Sequence, residues 1–184
     1  MTLNITSCPV AIGGIGGSGT RLFALLLKLH GYYLGADLNE AQDNLWFTLL
    51  FKRRSAILEN DIIFSNLIEI FFSAMQGDRK LILAHIDLIL SLTKQDRINH
   101  DREWLLERYK TLLYHPLLKS HLWGWKEPNT HIFIDKFLKR NKELKYIHIL
   151  RDPYYMAQSQ NQNQLRIWGQ FFLIIILKLR RETA

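Results

Sequence analysis

A single cysteine, Cys8, leaves no partner for an intrachain disulfide, which points to a reduced compartment and, with it, the cytoplasm. The N-terminal Met1-Thr2-Leu3-Asn4 lacks a basic stretch leading into a long apolar one, so no signal peptide is expected. The apolar run Phe171 to Leu177 is far shorter than the roughly 20 residues a bilayer span needs, and reads as a buried strand or helix segment. There is no internal repeat and no stretch with the bias of a disordered tail. No His, Cys and Asp cluster has metal-ligand spacing, so no metal is expected.

What is present is ordinary for a globular domain. Apolar residues make up 48% of 184 and charged residues 22%, enough for one domain, 1–184, with its own core. The formal charge of +7 suits an anionic partner, but its basic residues fall in short clusters (Lys52-Arg53-Arg54, Lys139-Arg140, Arg180-Arg181). A solvated basic surface explains these as well, and no nucleic-acid partner is expected.

The chain opens on Pro9 to Ile15, β-branched and bounded by glycine, which reads as a buried strand. Arg21 to His30 carries Leu22, Leu25, Leu26 and Leu29 at helical spacing, with Gly31 as its C-cap. From about 39 to 115 the pattern is helical: Glu40 to Leu58, Asp61 to Met75 and Arg102 to Tyr114. Gly77-Asp78 marks a break, and Lys80 to Leu92 also reads as helix, although its apolar run is ambiguous in period. A second α/β unit comes next. His121 to Lys126 is a short strand ending at Glu127-Pro128, Thr130 to Arg140 an amphipathic helix, and Leu144 to Leu150 a strand. Asp152 as N-cap and Pro153 at the first helical position predict a helix to about Gln162. Strands alternating with helices imply a three-layer α/β domain, its parallel sheet covered on both faces and interrupted by a helical insertion. Ligands of such sheets bind beyond the carboxyl ends of the strands, where Ile15, Trp125 and Leu150 lead into the three polar motifs.

The first motif is Gly16-Gly17-Ser18-Gly19-Thr20-Arg21. Five of the seven residues from Gly13 to Gly19 are glycine, which lets backbone N–H groups crowd round an anion at the positive end of the next helix. Ser18 and Thr20 add hydroxyls and Arg21 a fixed charge. The nucleoside-triphosphate loop G-x-x-x-x-G-K-[ST] is satisfied in its glycines by Gly14 and Gly19, but Thr20 stands where its lysine belongs. That counts against an ordinary P-loop kinase or NTPase. The last motif is Tyr146 to Leu150 followed by Arg151-Asp152-Pro153, with Ser159 eight residues after Arg151. Arginine at a strand end offers bidentate donors to a phosphate.

These two motifs, in this order and with this spacing, resemble the sulfotransferases that use 3′-phosphoadenosine 5′-phosphosulfate as donor. The resemblance implies that Gly16 to Arg21 hold the 5′-phosphosulfate and that Arg151 and Ser159 hold the 3′-phosphate. Trp123-Gly124-Trp125-Lys126-Glu127-Pro128-Asn129 is similar to a family stretch whose lysine lies near the transferred group, so Lys126 would stabilise charge on the sulfuryl or bridging oxygen. Asp37 stands where some members place an acidic base; as a general base it would take the proton of a hydroxyl or amine acceptor. The acceptor class implied is a small molecule or a carbohydrate, and Trp123, Trp125, Tyr32 and Tyr33 would suit a sugar or aromatic ring. Other readings stand beside these. Asp37 could cap a helix starting near Asn39, Lys126 could be a surface lysine, Arg151-Asp152 a structural ion pair and the aromatics plain core. His148, inside an apolar strand, reads as a satisfied core histidine.

The family pattern departs at two places. Many members carry a lysine or arginine where Gly17 stands. The family also continues well past Arg-Asp-Pro, and Phe171 to Ala184 does not resemble its closing segment. The expectation is a truncated or frameshifted member, and the alternative functions are a P-loop nucleotide kinase or NTPase and a non-catalytic nucleotide-binding remnant.

Overall fold

The computed structural model describes residues 8–95, 97, 99–115, 121–152 and 154. Among the described residues three short strands form one sheet: β1 (Val10–Gly14), β2 (Gly124–Lys126) and β3 (Lys145–Ile149), in the order β2-β1-β3 and all parallel. Parallel neighbours need long crossovers. One is helix α1 (Thr20–Leu29) with a helical block between Leu45 and Tyr114, and the other is α7 (Ile134–Arg140). The architecture is α/β, a small parallel sheet flanked by helices.

Alternation along the strands assigns the faces. Ala11, Trp125 and Tyr146 point to one side, into a large core; Ile12, Ile147 and Ile149 point to the other, into a small one with Ala24, Leu27 and Leu34. The large core is built from aromatic rings. Phe47 and Phe51 come from α2 (Leu45–Phe51), and Phe64, Phe71 and Phe72 from α3 (Asp61–Gln76). Phe71 meets Trp125 edge-on at 5.2 Å between centroids, and Phe137 of α7 lies 5.2 Å from the same indole. Edge-to-face contacts of this kind add about 0.5–1.5 kcal/mol beyond area burial. Trp123 and Trp125 are fully buried and belong to this core.

Helix α1 ends in a hydrogen-bonded turn of the Schellman type, with Tyr32 N–H donating to Leu27 O and Gly31 N–H to Lys28 O, both at 3.0 Å. Its buried side is the small one, Thr20 and Ala24, whereas Leu22, Leu25, Leu26 and Leu29 are exposed, Leu29 to 81%. The leucine spacing identified the helix but not the face that meets the sheet.

The helix expected over Glu40 to Leu58 is shorter. The chain is helical only from Leu45 to Phe51, with a 3-10 turn at Arg54–Leu58. Before it, polar side chains bond locally and withdraw the backbone from the helix. Asn39 Nδ2 donates to Asp43 Oδ2 (2.9 Å), Asp43 N–H donates to Asn39 Oδ1 (2.8 Å), and Gln42 adopts a left-handed φ of 65°. After it, the partly buried Arg97 guanidinium donates to the carbonyls of Thr48 (2.8 Å) and Leu49 (2.6 Å) and closes the last turn. Lys80 to Leu92 is two helices, α4 (Arg79–Ala84) and α5 (Ile86–Leu92), broken at His85, and Thr130 to Arg140 is a 3-10 turn (Pro128–Ile132) followed by α7. Helix α6 (Arg102–Tyr114) spans the expected residues, capped by Asp101, whose side chain accepts from Trp104 N–H. Gly77 and Asp78 separate α3 from α4 as expected, Gly77 with φ 75° and Asp78 as N-cap. His148 is exposed, not core. Its strand buries only Ile149, and its Nδ1 shares a 2.8 Å hydrogen bond with the Tyr146 hydroxyl. Ser159, Phe171 to Leu177, Arg180-Arg181 and the helix expected to Gln162 (apart from Tyr154) lie outside the described residues. Among the described residues no helix is long and apolar enough to cross a membrane.

Asn44 joins these parts. Fully buried, it donates from its backbone N–H to Lys126 O (2.8 Å) and from Nδ2 to Leu34 O (2.9 Å), and its Oδ1 accepts from Phe47 N–H (3.0 Å) as the N-cap of α2. The amide packs so closely on Gly35 that a Cβ there would collide with Nδ2, and Gly35 has a φ of 114°. Asn44→Asp keeps the cap acceptor but removes the donor to Leu34 and buries a charge. The expected cost is about 3 kcal/mol, read as a lowered urea midpoint at unchanged slope.

Candidate functional site

Because the sheet is parallel, Gly14, Lys126 and Ile149 end on one edge, and the segments leaving the three strands are gathered there. Gly14 pairs with Ile149 and Ile12 with Lys126, so β2 stops short of the other two strands.

The glycine-rich loop turns first through Ser18 N–H, which donates to Ile15 O at 3.1 Å, and enters α1 through Gly19 in a left-handed conformation, φ 93°. The N-cap, Gly19, supplies no side-chain cap and the first turn holds no acidic residue. The leading N–H groups, at Thr20 and Arg21, therefore have neither an intrahelical acceptor nor a cap among the described residues, and they carry the positive end of the helix dipole. The Ser18 hydroxyl is buried and makes no hydrogen bond among the described residues. A buried hydroxyl left without a partner costs about 1–3 kcal/mol, which a ligand oxygen would recover. Thr20 is buried, and Arg21 is exposed beside the loop. The donor set of loop, helix end and hydroxyls fits an anionic group.

Gly17 has a φ of 86°. A lysine or arginine there, as many sulfotransferases carry, would be strained on this backbone. A cation reaches the same spot from β3 instead: Arg151 Nη1 donates to Gly17 O at 3.1 Å. The first and last motifs, 134 residues apart, thus touch. Asp152 Oδ1 accepts from Tyr154 N–H at 2.8 Å, the bond expected of a helix N-cap.

Lys126 is no surface lysine. Its side chain is 3% exposed; Nζ donates to Ala41 O (3.1 Å) and forms an ion pair with Asp43. The adjacent Glu127 points the other way; its fully buried carboxylate pairs with the partly exposed Lys52 (2.9 Å), and also accepts from Asn129 N–H (2.6 Å) and Nδ2 (2.8 Å). Burial pulls the Lys52 ammonium down, yet the Glu127 carboxylate outweighs it and holds Lys52 above its ordinary value.

Asp37 lies on the outer side of β2, where its carbonyl accepts from Leu45 N–H (2.9 Å) next to the Asn44–Lys126 bond. It caps no helix, since α2 is capped by Asn44. Its carboxylate accepts a hydrogen bond from the Thr111 hydroxyl and lies 3.0 Å from Arg108 Nε, an ion pair not aligned as a hydrogen bond. Burial pushes Asp37 above the ordinary carboxylate range; the Thr111 bond and the Arg108 charge pull against that, and Glu107 adds a small push upward. A carboxylate so raised is a better proton acceptor than a free one.

The structure therefore brings Gly16 to Arg21 and Arg151 together, sets Lys126 and Asp37 at the β2 side of the same edge, and leaves Ser159 outside the described residues. Four polar residues of the site escaped the sequence reading: Asp43, Asn44, Arg108 and Thr111. Asn44 carried a signal, an asparagine immediately before the apolar run from Leu45. The others act through contacts distant in sequence, Thr111 with Asp37 across 74 residues and Lys126 with Asp43 across 83. Among the described residues no three His, Cys, Asp or Glu side chains converge as metal ligands would. Comparison of the chain with protein-family models, with curated proteins and with solved structures finds no match.

Thr111→Val removes a hydrogen bond that favours the ionised carboxylate, so the Asp37 pKa should rise further in carboxyl-detected NMR. A folded pKa above the unfolded one gives stability that is full below the unfolded value of about 3.9 and is lost as pH rises through the folded value. The unfolding free energy of the wild type minus that of Asp37→Asn should therefore fall as pH rises across that window.

Proposed function

We propose that this chain is a nucleotide-binding α/β domain of the sulfotransferase kind, three-layered and P-loop-like, that takes 3′-phosphoadenosine 5′-phosphosulfate as co-substrate. One observation carries the reading: the glycine loop, the uncapped N-terminus of α1 and the Arg151 guanidinium meet at one edge of a parallel sheet. A glycine-rich turn alone would serve any strand-to-helix connection. A guanidinium laid against its carbonyl, beside a buried hydroxyl with no partner among the described residues, suits a ligand with more than one anionic group.

When bound, the nucleotide would supply a sulfuryl group that passes in line from its phosphate oxygen to the oxygen or nitrogen of an acceptor, a small molecule or carbohydrate. The remaining work falls to the chain's own residues, and is mostly positioning and charge stabilisation. Gly16 to Arg21 would orient the 5′ end, and Arg151, with Ser159, the 3′-phosphate. Asp37, its carboxyl raised by burial, would accept the acceptor's proton. Lys126 would offset charge on the leaving oxygen. No step requires a metal, and Thr20 in place of a P-loop lysine is the reason ATP is not the preferred ligand.

A second reading has its own support. Both candidate catalytic side chains are already paired, Asp37 with Arg108 and Lys126 with Asp43, which suits a protein that binds the nucleotide without turning it over.

Calorimetric titration with adenosine 3′,5′-bisphosphate, with ATP and Mg²⁺ in parallel, tests the reading. Selective binding in the micromolar range, about −8 kcal/mol, is expected. Preference for ATP would favour a kinase, and binding of neither would reject the nucleotide site. Arg151→Ala should weaken the bisphosphate about tenfold or more, and its 3′-hydroxyl analogue far less. Equal losses for both would remove Arg151 from the 3′-phosphate.

A further inference from the structure

Lys126 and Asp43 form the least expected contact at the strand edge. The Lys126 ammonium has three donors. One goes to Asp43, one to Ala41 O, and the third has no acceptor among the described residues. Asp43 keeps a second anchor, since its Oδ2 accepts from Asn39 Nδ2 and its N–H donates to Asn39 Oδ1. The loop that carries it is fixed twice more, by Asn44 N–H to Lys126 O and by Lys28 Nζ to Gln42 Oε1 (3.0 Å), at the cost of a left-handed Gln42. The carboxylate is thus held in place whether or not Lys126 is on it. Lysine, a compact charge on a flexible four-carbon stem, is the partner free to move. A buried ammonium needs one counter-charge, and a second anion within reach competes for it.

We propose that Asp43 is a latch on Lys126: in the free protein it neutralises the ammonium and holds it on the 39–44 loop, and a bound anionic ligand takes Lys126 over, leaving Asp43 on Asn39. This rests on the nucleotide reading, and makes Asp43 a positioning residue for that site. It sets a threshold on the ligand, because only a group carrying full charge at the strand edge displaces the carboxylate.

The test is calorimetric titration of adenosine 3′,5′-bisphosphate into the full chain as wild type, Asp43→Asn, Asp43→Glu, Lys126→Met and the Asp43→Asn/Lys126→Met pair, each checked for folding by circular dichroism. Removing the competing carboxylate should tighten binding about tenfold. The gain should vanish in the double variant, and Asp43→Glu should return toward wild type. A merely structural Asp43 would weaken binding or leave it unchanged. In the wild type alone, the Asp43 carboxyl carbon should shift on saturation with the bisphosphate, which keeps the test independent of how the variants fold. Binding without that shift, or without a gain in a folded Asp43→Asn, overturns the latch and leaves the nucleotide reading standing. No binding by the wild type or any variant overturns both.

Discussion

A fully buried amide sets the geometry of the strand edge. Asn44 uses its backbone N–H on β2, its side-chain N–H on the segment after α1, and its carbonyl oxygen on the first turn of α2. Each bond satisfies a group that burial would otherwise leave costly. Together they fix three chain segments that hydrophobic packing alone would leave free to slide, because apolar contacts have no direction. Asp37, Asp43 and Lys126 all hang from this junction: Asp43 precedes Asn44, Lys126 accepts its N–H, and Asp37 accepts the N–H of Leu45. The polar geometry of the β2 side is therefore decided by a fully buried residue.

The glycine-loop side is organised differently. There the backbone makes the site, through left-handed glycines and an uncapped helix end, and side chains are few. Arg151 reaches it from the neighbouring strand, because a parallel pair in register puts the residues after Gly14 and after Ile149 side by side. On the β2 side three cations each have a carboxylate: Lys52 with Glu127, Lys126 with Asp43, Arg108 with Asp37. An anion approaching Lys126 would meet competition from Asp43.

The helical block serves the sheet by burying one face of it under aromatic rings. Phe71, Phe72 and Phe137 pack on Trp123 and Trp125, which buries β2 although it is only three residues long. Strands this short are marginal alone, and tertiary packing supplies what the ladder does not. Among the described residues the opposite face meets α1, with its small Ala24 side, and Leu34 beyond it, so the core there is the smaller one.

The sequence by itself determined the element types where one local signal was strong enough. β1 came from a β-branched run between glycines, α6 from an apolar period over Arg102 to Tyr114, the α3–α4 break from Gly77-Asp78, and the placing of three motifs at strand ends from the alternation of strands and helices. It failed where the decision belonged to partners far along the chain. Asn39 and Asp43 look helical in their periodicity, yet they bond to each other because Lys126 and Asn44 fix that loop from outside. The leucine stripe of α1 names a helix but not a direction, and the sheet accepts the face that lets the backbone come closest. His148 reads as core by its neighbours and lies exposed on its strand. Which cations are free to meet a ligand and which are already neutralised is a property of distance in space, and spacing along a chain does not encode it.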